Sequence, residues 1–494
     1  MYQAQESGVD QRYEPDRPSL GMAPAPQKLS DRDRWRILAV LLAVIFMSLV
    51  GVSIVNVALP SIQSGLGATQ SAMQWVLSGY ALTFGVILVA AGRAGDILGR
   101  GGLFLVGVGV FTIASVGAGL APDTGWLNAA RLLQGIGSGL LNPQGLGMIQ
   151  QHFRGAERGR AFGLLGTAVG FSVAIGPVLG GVLIQFGGPD LGWRLTFLVN
   201  VPIGLVAILL GFAWFPRPLF LPAPAGVLRA LDPVGAALLG LAILAVLWPF
   251  MQAGDSALAW GLLPAGGVVL WLWVAWERRQ TRLGQSPMVD LRIFRTPSFT
   301  NGSIVMTLYF MGMTSIWVLV ALYVQQGVGK SAFASGLIGI PAALLSAWAA
   351  NWAGRRVGRW GRAIVSWGLV LALVGLALSI AVVVLGQTHG VSVWWLLLTL
   401  SFLGLAQGAV ISPNQTLTLE EVPLEYAGSS GAVMQTGQRI GTSVGIAVIT
   451  AAVFAVLAVS DWAVAVAAGF ALIGLVTLAA LAVAVKDQRR RARS

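Results

Sequence analysis

The sequence predicts an all-α polytopic membrane protein of fourteen transmembrane helices, two six-helix bundles plus two extra central spans. Three observations carry this. Apolar runs of about 20 residues, the length that crosses a ~30 Å hydrocarbon core as a helix, recur from Leu38 to Val485. Arginines fall almost wholly in alternate loops. The segment after the second run returns after the tenth with the same spacing of Gly and Arg.

The hydrophobic set makes up 56% of the chain and charged residues only 10%, against roughly 25% charged in a soluble domain. Such a chain needs lipid, and helices satisfy their own backbone there. The 65 Gly read as close helix packing. With no Cys there is no disulfide framework, no thiol nucleophile and no Cys-ligated metal. A net charge of +12 suggests nucleic acid only when the basic residues share one folded surface. Here they alternate between loops, so the expected partner is the lipid bilayer and not nucleic acid.

In chain order, 1–36 is expected to be a polar cytoplasmic tail. The N-terminal bundle, 37–216, holds spans 38–60, 74–94, 103–121, 126–149, 161–186 and 196–215. A cytoplasmic linker, 217–231, leads to the two extra central spans in 232–277 (233–251 and 260–276), and a second linker, 278–299, follows. The C-terminal bundle, 300–485, holds spans 301–325, 334–352, 363–385, 393–412, 432–459 and 462–485, before a basic cytoplasmic tail, 486–494.

Loop charge tests this order independently of hydropathy. Arg32, Arg34, Arg36, Arg100, Arg154, Arg158, Arg160, Arg217, Arg229, Arg278, Arg279, Arg282, Arg292, Arg295, Arg355, Arg356, Arg359, Arg362 and the run from Lys486 fall on one side; Arg194 and Lys330 fall on the other. Positive loops face the cytoplasm, so both termini are expected there, and removing one span would invert the segregation from that point onward.

The repeat is specific. Gly92, Arg93, Gly99 and Arg100 match Gly354, Arg355, Gly361 and Arg362, with Asp96 opposite Gly358. The stretches 135–144 and 404–415 both run through small residues into Pro with Asn and Gln beside it. Spans nine to fourteen thus echo one to six, and parallel repeats of this kind place a substrate site between the halves.

The loop from Gly92 and Arg93 through Asp96 to Gly99 and Arg100 resembles the loop signature of the major facilitator superfamily. Arg131, Gln134, Gly135 and Gly137 resemble its second signature, and Gly170, Gly176, Pro177, Gly180 and Gly181 its antiporter signature. The inserted pair opening at Leu231-Asp232-Pro233, the stretch from Ser412 and the run Gln435 to Gly441 resemble the fourteen-span drug:proton antiporter family within it. The resemblance implies the major facilitator fold in a bacterial cell (inner) membrane. It implies export of drugs, antibiotics, dyes or other small lipophilic compounds by alternating access in exchange for protons. No enzyme activity, cofactor or metal is implied, and a monomer is expected.

One departure bears on mechanism. Members of the family it resembles commonly carry an Asp in span one where this chain has Gly51, although the following run to Pro60 is kept. Every Asp and Glu lies in loops or at span ends, so no carboxylate at mid-membrane offers itself as proton carrier. That leaves a proton-independent facilitator, or an exporter of lipid or hydrophobic metabolites, as the alternative function. The want of a nucleophile or acid/base pair at depth argues against a third reading, a membrane-embedded enzyme or sensor.

Arg131, with Gln134 and Gly135, is the leading candidate for gating or proton-linked work, because a guanidinium within a span is costly unless paired or wet; a static anchor to carbonyls is the plainer reading. The Gly92–Arg100 loop is expected to act as the conformational gate, Asp96 pairing with Arg100 or a helix N-terminus. Asn56, Trp75, Tyr80, Asn142, Phe310, Trp317, Gln407, Asn414, Gln435 and Arg439 are cavity candidates for a cationic or neutral substrate. Interhelical amide bonds, lipid-facing aromatics and, for Arg439 near the start of its span, snorkelling to headgroups are the alternatives.

Overall fold

The computed structural model describes residues 29–223, 226–251, 257–285 and 287–491. Among these the chain is helical with no strand. The N-terminal half comprises α1 (Asp31–Leu66), α2 (Gln70–Leu98), α3 (Arg100–Gly119), α4 (Thr124–His152), α5 (Gly155–Leu198) and α6 (Asn200–Trp214). A short α7 (Val227–Leu231) precedes the central pair α8 (Pro233–Met251) and α9 (Leu262–Arg282). The C-terminal half comprises α10 (Pro297–Leu322), α11 (Ala332–Trp360), α12 (Ala363–His389), α13 (Leu396–Thr418), α14 (Ala427–Leu457) and α15 (Trp462–Arg491).

Twelve helices among the described residues are long and apolar enough to cross a membrane, two short of the expected fourteen. The shortfall lies in α4 and in the part of α5 before Gly188, of which only Val178–Gly188 is strongly apolar. The polarity of α4 has a structural reason. Arg131, Gln134, Gln144 and Gln150 are all buried against α2, α3 and α14, and a helix shielded from lipid by protein has no need of an apolar surface all round.

Helix ends run beyond the apolar runs because capping is polar and invisible to hydropathy. Ser30 accepts a hydrogen bond from the Asp33 N–H at 3.2 Å, starting α1 at Asp31, so 31–36 is helical. At the other end α15 continues through Arg491, absorbing most of the expected basic tail. Residues 1–28 and 492–494 of those tails lie outside the described residues. No loop separates the expected fifth and sixth spans: the chain turns on Gly188 alone, at φ 71°, a left-handed value that glycine takes without strain, and continues as a second rod, Asp190–Trp214.

Packing reproduces the sequence repeat. In the first half α1 packs on α5 and α6, α2 on α4, and α3 on α4 and α6. In the second, α10 packs on α14 and α15, α11 on α13, and α12 on α13 and α15. The halves meet chiefly along α5 with α11 and α2 with α14, which are themselves repeat-related pairs. The central pair leans on α2 and α14 through α8.

Candidate functional site

The end of α2 ties the two halves together. Asp96, its side chain 1% exposed, accepts hydrogen bonds from the backbone N–H groups of Gly428 and Ser429, both at 2.9 Å. No side chain caps the start of α14 from within, and the carboxylate of α2 does so in trans. Arg100 donates to the same carboxylate at 2.7 Å, to Gln151 Oε1 at 2.9 Å and to the Leu424 carbonyl at 2.8 Å. Gln150 Nε2 reaches the Ala427 carbonyl at 3.2 Å. The turn itself rests on Gly99, φ 103°, where a Cβ would lie 2.8 Å from the Leu219 carbonyl oxygen. Arg93 donates to the Ala230 carbonyl at 3.3 Å, extending the clasp to the first linker.

The second linker joins the same end. Asp290 is paired with Arg292 at 2.6 Å and accepts from Tyr426 Oη at 3.2 Å, just ahead of α14. Burial pushes the Asp290 carboxyl up, but the Arg292 side chain and backbone, with Tyr426, outweigh it and hold the group below the usual carboxylate range.

Deeper in the bundle, Arg131 is 1% exposed. Its Nε donates to the Val76 carbonyl and its Nη1 to Gln134 Oε1, each at 2.8 Å, and Gln134 Nε2 donates onward to Ser115 Oγ at 2.8 Å. Its guanidinium lies 4.5 Å from the centre of the Tyr80 ring, whose hydroxyl joins Ser138 and Ser48 in a buried cluster. Neither Asp123, which caps α4, nor Asn128, which bonds Ala72, reaches it. Gly135 leaves the space in which Thr83 bonds across to the Leu132 carbonyl at 2.8 Å.

Arg439 departs from the expectation of a near-interface position. Because α14 starts at Ala427, Arg439 lies about 18 Å along the helix and not near its start. Its guanidinium sits 4.4 Å from the centre of the Phe84 ring of α2, across the seam between halves. Phe84 in turn stacks on Tyr80, centroids 6.1 Å apart with an interplanar angle of 3°. A cation–π contact contributes about 0.5–2 kcal/mol, less than the several kcal/mol that a charge at membrane depth costs. Arg131 offsets that cost with carbonyl and amide acceptors; Arg439 has none among the described residues.

The remaining candidates divide. Trp75 packs edge-on against Trp248 of α8 at 5.4 Å, Asn142 bonds the Ser138 carbonyl of its own helix, and Asn414 bonds the Gly302 carbonyl of α10 at 2.8 Å. These are packing contacts. Phe310 lies beside Tyr309, and Trp317 fills the space above Gly339. Gln407 is half-buried, Asn56 is exposed, and Gln435 is buried with its Nε2 unpartnered. In the antiporter signature, Gly170 abuts α11, Gly180 abuts Ile54 of α1, and Gly176 faces Ser53, whose hydroxyl bonds the Ser172 carbonyl at 3.1 Å; Gly181 has open space. Pro177 lies in the helical run of α5, which breaks only later, at Gly188.

At Gly51 a Cβ would meet Phe111 at 3.4 Å and the Asn200 amide at 3.5 Å, so a side chain there would enter the space against α3 and α6. The partners that sequence reasoning missed are mostly backbone: the N–H groups of Gly428 and Ser429 and the carbonyls of Leu424 and Val76. Phe84 carried no signal beyond being one aromatic among many.

Residues 41–446 match the family model described as Major Facilitator Superfamily. The probable actinorhodin transporter of Streptomyces coelicolor is 34% identical over 430 residues, covering 86% of this chain and 73% of its own. The tetracenomycin C resistance and export protein of Streptomyces glaucescens is 30% identical over 438 residues, covering 88% and 78%. The crystal structure of the human organic anion transporter MFSD10 superposes with a TM-score of 0.67 at 16% identity over 91% of this chain and 99% of that one, a likeness of fold alone.

Proposed function

The chain belongs to the major facilitator superfamily, and from that premise we propose that it exports small lipophilic compounds from the cytoplasm by alternating access, in exchange for protons. It is a multi-pass membrane protein whose relatives are transporters, not enzymes. In this reading α4 and α5 cross the membrane as well, giving fourteen spans with both termini cytoplasmic in a bacterial inner membrane.

The observation that supports it is the Asp96 clasp. A carboxylate that caps a helix of the opposite half makes two charge-assisted bonds that can be given up and remade as a unit. That is what a gate between rocking halves requires, and here it is shut at the end where the basic loops lie. Arg131 would hold α2 to α4 while the Arg439 face of α14 lines the path.

Everted vesicles loaded with a lipophilic dye test it. Uptake driven by an imposed proton gradient and abolished by a protonophore is expected. Uptake indifferent to the protonophore would move the assignment to the proton-independent reading, which Gly51 favours; no uptake of any compound would remove export altogether. The second reading has a specific observation behind it: every described Asp and Glu lies outside the helices, within two turns of a helix end, or beside the break at Gly188.

A further inference from the structure

Three neighbouring groups on α14 are donors without acceptors. The Nε2 atoms of Gln435 and Gln438 are buried and unpartnered, and the Arg439 guanidinium makes no hydrogen bond or ion pair among the described residues. Positions i, i+3 and i+4 share one side of a helix. That side faces α2: Gly428 and Ala432, the preceding members of the same stripe, touch Gly92. Opposite lie Phe84 and, stacked on it, Tyr80, whose ring has the Arg131 guanidinium 4.5 Å from its centre. Two guanidiniums, one from each half, thus lie against a pair of parallel rings.

What this seam lacks among the described residues is a counter-charge. Buried donors ordinarily find partners, and an intramembrane cation ordinarily faces a counter-charge. None of the described carboxylates is near.

We propose that Arg439, with Gln435 and Gln438, receives the acidic group of an aromatic organic anion, a carboxylate or phenolate, whose ring lies against Phe84. The exported compounds are then lipophilic acids, and not the cationic or neutral compounds expected from sequence. This rests on the export reading above and narrows its substrate class. The anion provides the charge that the helix interior lacks, its oxygens take the amide and guanidinium donors, and its flat ring fits a wall that is already aromatic. Because Arg439 and Phe84 belong to different halves, such a ligand touches both and leaves when they part.

The test uses the full-length protein in lipid nanodiscs and three matched probes: naphthalene-2-carboxylate, 2-naphthylmethylammonium and the neutral 2-naphthylmethanol. The carboxylate is expected to bind about tenfold or more tighter than the ammonium. Arg439→Gln should remove about tenfold of carboxylate affinity and leave the alcohol unchanged, and Arg439→Lys should keep most of the preference. Equal or tighter binding of the ammonium, no carboxylate binding, or a carboxylate affinity untouched by Arg439→Gln would overturn the proposal. So would a loss of alcohol binding in Arg439→Gln, which would make the arginine a packing element. In everted vesicles, uptake of the ammonium with refusal of the carboxylate sinks the anion assignment and leaves export standing; uptake of neither sinks export.

Discussion

Gly92 of α2 and Gly428 of α14 meet backbone to backbone across the two halves: a Cβ on Gly92 would lie 2.7 Å from the Gly428 carbonyl oxygen, and one on Gly428 2.6 Å from that of Gly92. The repeat partner of Gly92 is Gly354, and it meets Gly159 of α5 in the same way, with no room for a Cβ on either. The seam is therefore built twice, once at each junction of the halves, and Asp96 closes one of them.

Enlarging a seam glycine should hold the halves apart at this end. In a Gly354→Leu variant, a cysteine placed at Ala347, buried here and in contact with Gly170, should react faster with a membrane-impermeant maleimide in inside-out vesicles. The chain has no native Cys, so the background is clean. Unchanged labelling would mean that the seam does not control access.

Asp96→Asn replaces two charge-assisted bonds to the start of α14 with weaker ones and loses the pairing with Arg100. Bonds to a charged group contribute about 1.5–3 kcal/mol each, so transport should fall about tenfold or more, with increased cytoplasmic access. Transport at wild-type rate would show the clasp to be incidental.

Arg131 and Gln134 should behave as one unit. Arg131→Ala frees Gln134 Oε1 and the Val76 carbonyl together, and thermal unfolding in detergent should show the double variant with Gln134→Ala less damaged than the sum of the singles, by about 0.5–3 kcal/mol. Simple additivity would mean that the two act separately.

The Asp290 clasp sets a pH expectation. Its carboxyl is held below the ordinary range, so its contribution is complete above the unfolded value of about 4 and is lost as pH falls through the folded value. The melting temperature of wild type should exceed that of Asp290→Asn by a constant margin from about pH 5 to 8, and the margin should shrink below about pH 4. A margin that varies between pH 5 and 8 would assign the dependence to another group.

Gly51→Asp would set a carboxylate beside Asn200, whose Oδ1 is buried without a donor. If the niche accepts a proton carrier, the variant should gain protonophore sensitivity in vesicle uptake; sensitivity equal to wild type would place the carrier elsewhere.

Much of the helical order was legible because apolar runs, loop arginines and the glycine–arginine repeat obey lipid and topology directly. Asp96 was legible as an anion seeking either Arg100 or a helix start, and the structure supplies both. Its partners were not, because backbone N–H groups carry no side-chain signature. The same gap misplaced Arg439: the run Ala427 to Gly431 reads as loop by its glycines and serines, which are poor helix formers. The helix nevertheless begins there, its first N–H groups satisfied by a carboxylate more than 300 residues earlier in the chain. The shielding of α4 escaped notice too, since hydropathy sees composition and not neighbours.

Reciprocal motion of the two halves is open to direct measurement by electron spin resonance distances in nanodiscs, with one spin-label pair at the exposed positions Arg154 and Arg355 and another at Asp190 and Val459. On adding an exported compound, one pair should widen as the other narrows. Two pairs that stay fixed, or that widen together, would contradict alternating access by this chain.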